Sequence, residues 1–527
     1  MILADTQDSY KEPEIALYSK IPFKGRRVIY SDYEKVTEDN LIEILTESIT
    51  AHHLNAGQIN YLWNYYKGVQ PILDRTKEVR PEINNTVVEN HAQEIVAFKV
   101  GYQLAEPLQY TTRMQSEEKK EQNDFDAETP SEYDKTLDAV NELNTLMFAE
   151  DKASCDRDLF EWMCICGVGY RMVEADTAED VEDGGAPFEI YTLDPRHTFI
   201  VRSSAYHHKV LMSVWVSIDP TTKGEIYNVY TDTDYYLVNG NQIIENRPHT
   251  YKYNPIIEYR LNNARMGVFE PVLPLLDAIN KIESNRLDDI EQTVQALLKF
   301  INCDIEETTF KEMLKLGAVK VKTTDPQLKA DIDTIVTNLD QTGTQTTKDD
   351  LYQAVVNICG MPNRNGQGGS TSDTGAAVLL RDGWTLAEAA AKSYELQFKR
   401  AERDFLRVCL EICKQSSESN LDLRIRDIEL AFNRRNYENI LVKSQVLTTM
   451  LATNKVHPQL AFQACGLFTD PDAAYKQSCE YTEQNKEEFQ NSALGQIQND
   501  ARNEANHIGS QATVPEPNQG GNAETSA

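Results

Sequence analysis

From Trp384 onward, Trp384, Ala387, Ala391, Tyr394, Phe398, Ala401, Phe405, Val408 and Ile412 follow one another at alternating steps of three and four residues. Such spacing is one face of one helix and constrains the fold more than any other stretch of the chain. Upstream, Leu287, Ile290, Val294, Leu297 and Ile301 continue a stripe that begins near Val272, Leu276 and Ile279. Both predicted helices exceed the usual length of about 11–12 residues. They bracket an insert of strand character and a glycine-rich loop. Helices of this length suit a part that bridges distance, such as a channel wall or a shaft, better than a pocket for a small substrate.

The chain has 527 residues, enough for two to four domains with a sizeable core. Its mean hydropathy is −0.52, and no apolar run approaches the roughly 20 residues that span a bilayer. The opening Met1-Ile2-Leu3-Ala4-Asp5 lacks the basic start and apolar core of a signal peptide, so an intracellular protein is expected. Nine cysteines are scattered, with only Cys164/Cys166 and Cys409/Cys413 close together and no zinc-ligand spacing. Reduced, partly buried thiols and a reducing compartment follow. The net charge of −31 argues against a sequence-specific DNA binder, which needs a basic patch to displace counterions. Acidity is then either a solubility device or a way to keep a polyanion from sticking to a surface that it slides past.

Along the chain, Pro22 to Arg27 is a basic island. Thr37 offers an N-cap for a helix carrying Leu41, Ile42, Leu45 and Ile49, followed by a short aromatic-rich helix through Ile59, Leu62 and Tyr66. Val87, Val88, Ile95, Val96 and Val100 form the next apolar pattern, stopped by Gly101 and continued by an extended Tyr102–Tyr110 segment. Ser116 to Tyr133 is polar and reads as an exposed excursion. A helix from about Tyr133 to Met163 ends at Gly167. Strands follow at 170–173, 188–191, 198–201, 210–216 and 226–230, then a hairpin in which Asn239-Gly240 suits a type I′ turn. The middle third is therefore an α+β part with mainly antiparallel pairing. Within the insert, Ala318-Val319-Lys320-Val321-Lys322 alternates apolar and basic residues; residues 302–342 are too few for an ordinary domain and are expected to pack on another copy. A helix from about Thr347 to Cys359 is ended by Gly360-Met361-Pro362. Asn363 to Gly375 is a polar loop in which Ser372 or Asp373 is a candidate cap of the striped helix, which carries Glu388/Lys392 and Glu395/Lys399 at four-residue spacing. A strand-like 421–431 leads to helices at 437–453, 458–466 and 471–490, and the remaining tail is expected to be disordered.

Familiar catalytic and nucleotide-binding motifs are absent from the sequence. No G-x-x-x-x-G-K-[ST], G-x-S-x-G or H-E-x-x-H occurs. Gly167-Val168-Gly169 lacks the third glycine of a dinucleotide fingerprint and reads as a helix stop. Asp232 and Asp234 begin like a calcium loop, but Tyr236 and Leu237 stand where a ligand and a glycine are needed. His52-His53 and His207-His208 point to different faces and read as solvated or capping. Asp288-Asp289-Glu291 reads as a solvated helix face in preference to a metal site. No catalytic residue, metal site or cofactor is expected.

The order of parts and several stretches resemble the SPP1-type portal proteins of tailed bacteriophages. The stretches are "FKVGYQLAEPLQY" ending at Tyr110, "CGVGYRMVE" from Cys166, "LDPRHTFIV" from Leu193, the run from Asn254 to Ile282, and "SDTGAAVLL" from Ser372. The resemblance covers about residues 35 to 490. It implies an α+β portal-type fold assembling as a ring, usually of twelve subunits, at a capsid vertex, where double-stranded DNA enters during packaging and leaves during infection. By position, residues 1–266 and 379–417 would form the wing, helices 267–300 and 346–362 the stem, 301–345 the clip, 363–378 the tunnel loop and 418–490 the crown, with 491–527 a tail. The implied partners are the terminase large subunit and head-completion or adaptor proteins at the clip around Val319, Lys320, Val321 and Lys322, with scaffold and major capsid protein around the wing. Localisation would be the virion, with assembly in the host cytoplasm.

A ring interface lets the clip find partners for its strand edges in neighbouring copies. Glycines let the loop adjust to DNA whose symmetry does not match the ring. Asn363, Arg364, Asn365, Gln367, Gly368 and Gly369 are therefore expected nearest the DNA, without sequence specificity; the alternative is a disordered surface loop. Two other readings stay open for the whole chain. One is a metal-dependent nuclease or hydrolase whose carboxylates converge only in three dimensions; the other is a different head–tail connector component, which would lack the two long helices flanking the insert.

Overall fold

The computed structural model describes residues 25–113, 132–176, 185–294, 297–301, 308, 311, 331–335, 341–362, 383–416, 421–432, 440–453, 455–468 and 471–485. The chain divides into two compact units, residues 1–114 with 124–436 and residues 115–123 with 437–527.

In the first unit, β1 (Ile29–Ser31) leads to α1 (Glu38–Tyr66). Thr37 is the N-cap, and its amide donates to the Asn40 side-chain oxygen at 2.7 Å. The two helices expected over this stretch are one of 29 residues. Gly57 alone is too weak a breaker, at about 1 kcal/mol, and Asn55 has structural work to do. Its amide side chain accepts from the Arg27 N–H and donates to the Arg27 carbonyl, both at 2.9 Å. In α2 (His91–Gln103), Gly101 and Tyr102 lie inside the helix, so Gly101 is not the expected stop. After β2 (Gln109–Thr112), the single helix expected to reach about residue 163 is two, α3 (Glu132–Ala149) and α4 (Lys152–Cys166). Asp151 separates them with a left-handed φ of 45°, a conformation that no helix can propagate. Gly167 closes α4 at φ 82°; a Cβ there would stand 2.2 Å from the Arg265 carbonyl carbon.

The strands that follow are β3 (Val168–Ala175), β4 (Phe188–Leu193), β5 (Thr198–Ser203), β6 (Val210–Ile218), β7 (Glu225–Tyr230), β8 (Asp234–Asn239), β9 (Gln242–Pro248) and β10 (Ile256–Arg260). They build an antiparallel sheet in the order β10-β3-β4 and a six-stranded one in the order β1-β5-β6-β7-β8-β9, parallel only at β1–β5. The hairpin stands one residue along from its expected place. Asn239 pairs with Gln242, leaving Gly240-Asn241 as the loop. Only Gly240 has a positive φ (58°), which fits a type II′ turn with glycine first in place of the type I′ turn.

Helix α5 (Leu273–Val294) ends before Leu297, correcting the longer stripe. Leu297 and Ile301 lie in β11 (Leu297–Ile301), antiparallel to β12 (Asp331–Ile335). The three-four spacing persists there by coincidence; the dense run Leu-Leu-Lys-Phe-Ile is a strand signal. Helix α6 (Gln341–Ile358) begins six residues before its expected start at Thr347. The striped helix is α7 (Trp384–Gln415), capped by Gly383, so neither Ser372 nor Asp373 caps it. Its stripe is the buried face: Ala387, Ala391, Phe398, Ala401, Phe405, Val408 and Ile412 are all buried. β13 (Ile428–Ala431) pairs antiparallel with β2.

The apolar core of this unit has two parts. One lies among α2, α4, α7 and the three-stranded sheet; the other lies between the start of α1 and the six-stranded sheet. In the second unit, α8 (Ile440–Leu451), α9 (Pro458–Cys465) and α10 (Pro471–Gln484) pack around Phe462, whose ring stacks on Phe468 at 5.2 Å. No described helix is long and apolar enough to cross a membrane.

Candidate functional site

The residues expected nearest DNA, Asn363, Arg364, Asn365, Gln367, Gly368 and Gly369, lie outside the described residues, as do Val319, Lys320, Val321 and Lys322. What the structure does describe is the base from which residues 363–382 depart and to which they return. Helix α6 stops in a Schellman motif: Met361 N–H donates to Val356 O at 2.9 Å and Gly360 N–H to Asn357 O at 3.2 Å. Gly360 carries the left-handed φ of 59° that this motif needs. Buried Met361 and Val356 are the apolar pair that accompanies such stops. The returning chain enters α7 through Gly383, also left-handed at φ 82°. The two ends meet, since a Cβ on Gly360 would touch both Ala390 Cβ and Leu386 O at 3.8 Å.

Helix α2 runs against both ends. Along α6 its contacts rise in step: Glu89, just before α2, bonds Lys348 Nζ at 2.5 Å, Glu94 accepts from the Tyr352 hydroxyl at 3.0 Å, and Lys99 Nζ donates to Gly360 O at 3.0 Å. Lys99 is only 4 % exposed. Burial pushes its ammonium below the ordinary lysine range. Its charge is met by the negative carbonyl end of α6 and by the rings of Phe98 and Tyr394, at 5.8 and 6.0 Å. Toward α7, Phe98 and Tyr102 pack on Trp384 at 6.2 and 5.9 Å, and the Tyr102 hydroxyl donates to Glu388 Oε2 at 2.9 Å. The expected Glu388–Lys392 pair is present at 3.6 Å, whereas Lys399 bonds Glu429 at 2.8 Å.

A second polar device fixes α5. Asn280, Ser284 and Asp288 stand four residues apart and accept the backbone N–H groups of Glu89 (2.8 Å), Val87 (3.0 Å) and Asn85 (2.7 Å). Four residues of helix advance about 6.0 Å. Two residues of extended chain advance about 6.6 Å, close enough for three successive rungs. Asp288 also receives Arg75 and Lys77, each at 3.0 Å. It is buried and holds together the segment before α2, so the expected solvated acidic face is corrected at this residue. Burial alone would raise its carboxyl; the Asn85 amide, Lys77 and Arg75 outweigh that and lower it.

Deeper in the unit lies a buried charge network that hydropathy cannot reveal. Glu402 on α7 accepts from Tyr110 (2.5 Å) and Tyr259 (2.6 Å) and pairs with Lys152 (2.9 Å) and Arg171 (3.3 Å). Asp156 pairs with the same two cations. Two positive and two negative groups thus neutralise one another, all under 5 % exposed. Burial works to raise the Glu402 carboxyl, yet Lys152 and Arg171 hold it below its ordinary value. The network ties α4, β2, β3, β10 and α7 together at one point.

The remaining candidates fall to structural roles. His52 is buried, stacks on Phe199 at 4.4 Å and bonds the Arg196 carbonyl through Nε2, so it is neither solvated nor a cap; burial lowers it to about 4. His208 Nδ1 bonds the Ser203 carbonyl at 3.1 Å. Arg26 of the basic island is buried against Glu270. Cys409 and Cys413 are buried thiols, and burial pushes the Cys166 and Cys359 thiols up to about 12. Among the described residues no three His, Cys, Asp or Glu side chains converge to hold a metal ion.

A family profile described as "Phage portal protein, SPP1 Gp6-like" matches residues 46–491. No curated protein matches the chain. Among solved structures, a chain of the neck of a native GTA particle, determined with C12 symmetry, aligns at a TM-score of 0.38 with 12% identity, over 71% of this chain and 89% of that one. The profile takes in strands β2 to β13, both helices flanking the strand pair and the braced base of residues 363–382, and the chain belongs to the SPP1 Gp6-like family of phage portal proteins.

Proposed function

We propose that copies of this chain, twelve in number, close into a ring whose channel passes double-stranded DNA into and out of a capsid, and that the chain acts as a structural conduit and not as an enzyme. The observation that supports this most is the sequence of parts inside the family match. Helices α5 and α6 flank the strand pair β11–β12, and a 20-residue excursion springs from the meeting point of α6 and α7. In this reading residues 267–300 and 346–362 are the stem and residues 301–345 the clip, where terminase and head-completion proteins dock around Val319–Lys322. Residues 363–378 are the tunnel loop, with Asn363, Arg364, Asn365, Gln367, Gly368 and Gly369 facing DNA. The crown begins after residue 436, because β13 is hydrogen-bonded to β2 and so belongs with the wing. Scaffold and coat protein meet the wing, and assembly takes place in the host cytoplasm.

With a net charge of −31 per chain, a channel lined by such copies offers phosphates little to hold, though screening confines the effect to about 8–10 Å from the bore. Native mass spectrometry tests the assembly: twelve chains of 59.9 kDa give a particle of about 0.7 MDa. A monomer or dimer at working concentration refutes it. Deleting residues 363–375 tests the loop, since rings should form as before while packaging falls; packaging at full efficiency refutes the assignment.

A further inference from the structure

We propose that α2 sets the position of both roots of the tunnel loop, and that Lys99 is its positioning residue at the exit from α6. This rests on the reading of residues 363–378 as the loop that faces DNA, and adds which part of the wing holds that loop in place. A left-handed glycine at a helix stop is an adjustable joint, because without a Cβ it crosses to other backbone conformations at little cost. Here the joint is held. The Lys99 ammonium takes the Gly360 carbonyl at 3.0 Å, in a site from which water is largely excluded. On the return side, Trp384 is the first residue of α7 and is gripped by Phe98 and Tyr102 of the same helix α2, with Tyr102 also bonded to Glu388 one turn further on. One rigid element, presenting residues 98, 99 and 102 from adjacent turns, therefore touches the last joint before the loop and the first helical residue after it.

The arrangement also reaches back to the stem. Glu89 bonds Lys348, which bonds Glu283 of α5 at 2.9 Å, and His91 packs against Tyr352 at 4.7 Å while bridging Glu89 and Glu94. A displacement of α5 or α6 is thereby transmitted to the loop roots through α2 as well as along α6 itself.

Hydrogen exchange on the assembled protein tests the proposal. Lys99→Met keeps the aliphatic stem and removes the ammonium; Tyr102→Phe keeps the ring and removes the bond to Glu388. Lys99→Met should accelerate exchange about tenfold in peptides covering Cys359–Pro362, the exit from α6. The six-stranded sheet should exchange as in the wild type, and native mass should not change. Tyr102→Phe should act on the Gly383–Glu388 side alone, by a few-fold. Cys359–Pro362 peptides exchanging within about twofold of wild type in Lys99→Met overturn the proposal, as does equal acceleration in the sheet, which would mean global loosening. DNA packaging is read separately. If roots loosen and packaging is unchanged, the assignment of the loop to DNA fails while the role of α2 stands.

Discussion

Replacing Glu402 by Gln removes one charge from the centre of the wing and almost no volume. In the native network Lys152 and Arg171 face Asp156 and Glu402, so the local charge is zero; in the variant two buried cations share a single carboxylate. The amide also places a donor where Tyr110, Tyr259, Lys152 and Arg171 all donate to the carboxylate's two oxygens. Removing one partner of a buried pair costs about 3–5 kcal/mol, and these groups are under 5 % exposed, so screening offers little relief. Guanidinium unfolding followed by tryptophan fluorescence reads the loss, because Trp63 and Trp162 stack at 4.6 Å in the same core. The pH dependence supplies a second test. A carboxyl held below its unfolded value contributes stability in full above about pH 4.3, and that contribution fades as pH falls through the lower folded value. The gap between wild type and variant should therefore be widest near neutrality and shrink below about pH 4. A loss under about 1 kcal/mol at pH 7, or a gap that does not narrow in acid, refutes the charge-balance argument.

Asp288→Ala should cost about 2–3 kcal/mol by stripping Arg75, Lys77 and the Asn85 amide of their acceptor, and exchange at Asn85, Val87 and Glu89 should rise together; protection retained at Val87 would show that Ser284 acts alone. His91 is raised to about 9, because hydrogen bonds and charge from Glu89 and Glu94 outweigh the lowering effect of burial. Its contribution to stability is complete below about pH 6.5 and is lost as pH climbs toward 9, so His91→Gln should flatten the stability profile over that window and leave it unchanged at higher pH. Gly167→Ala combines about 1–2 kcal/mol of left-handed backbone strain with overlap against the Arg265 carbonyl, and soluble variant of wild-type stability would contradict the close approach.

The apolar face of α7 was readable from its spacing, since seven of its nine stripe residues are buried; the one buried carboxylate on that face, Glu402, was not. The strands β3 to β9 were equally plain from β-branched and aromatic runs, whereas β10, which pairs with β3, was not expected. Polar interior groups were not. Glu402 and Tyr110 are 292 positions apart, Arg171 and Glu402 are 231 apart, and Asn85 and Asp288 are 203 apart, so no local window contains both halves of any of these bonds. Hydropathy assigns each of them to the surface. Lys99 left one trace: it sits one turn after Ile95 and next to Val100, a lone cation on an otherwise apolar helix face. The end of α5 was misplaced because three-four spacing carried on by chance into β11, and the break at Asp151 was hidden because no glycine marks its left-handed conformation.

The rungs between α5 and the chain before α2 behave as a vernier. Each step mismatches by about 0.6 Å, so the error accumulates and a fourth or fifth rung would fall outside bonding range. Such a scale has a single coincidence point. An insertion of one residue anywhere from Asn85 to Glu89, or from Asn280 to Asp288, would leave at most two of the three rungs in register with each other. Evolution can therefore lengthen the chain before Asn85 or beyond Asp288, but the ruled interval itself must keep its count.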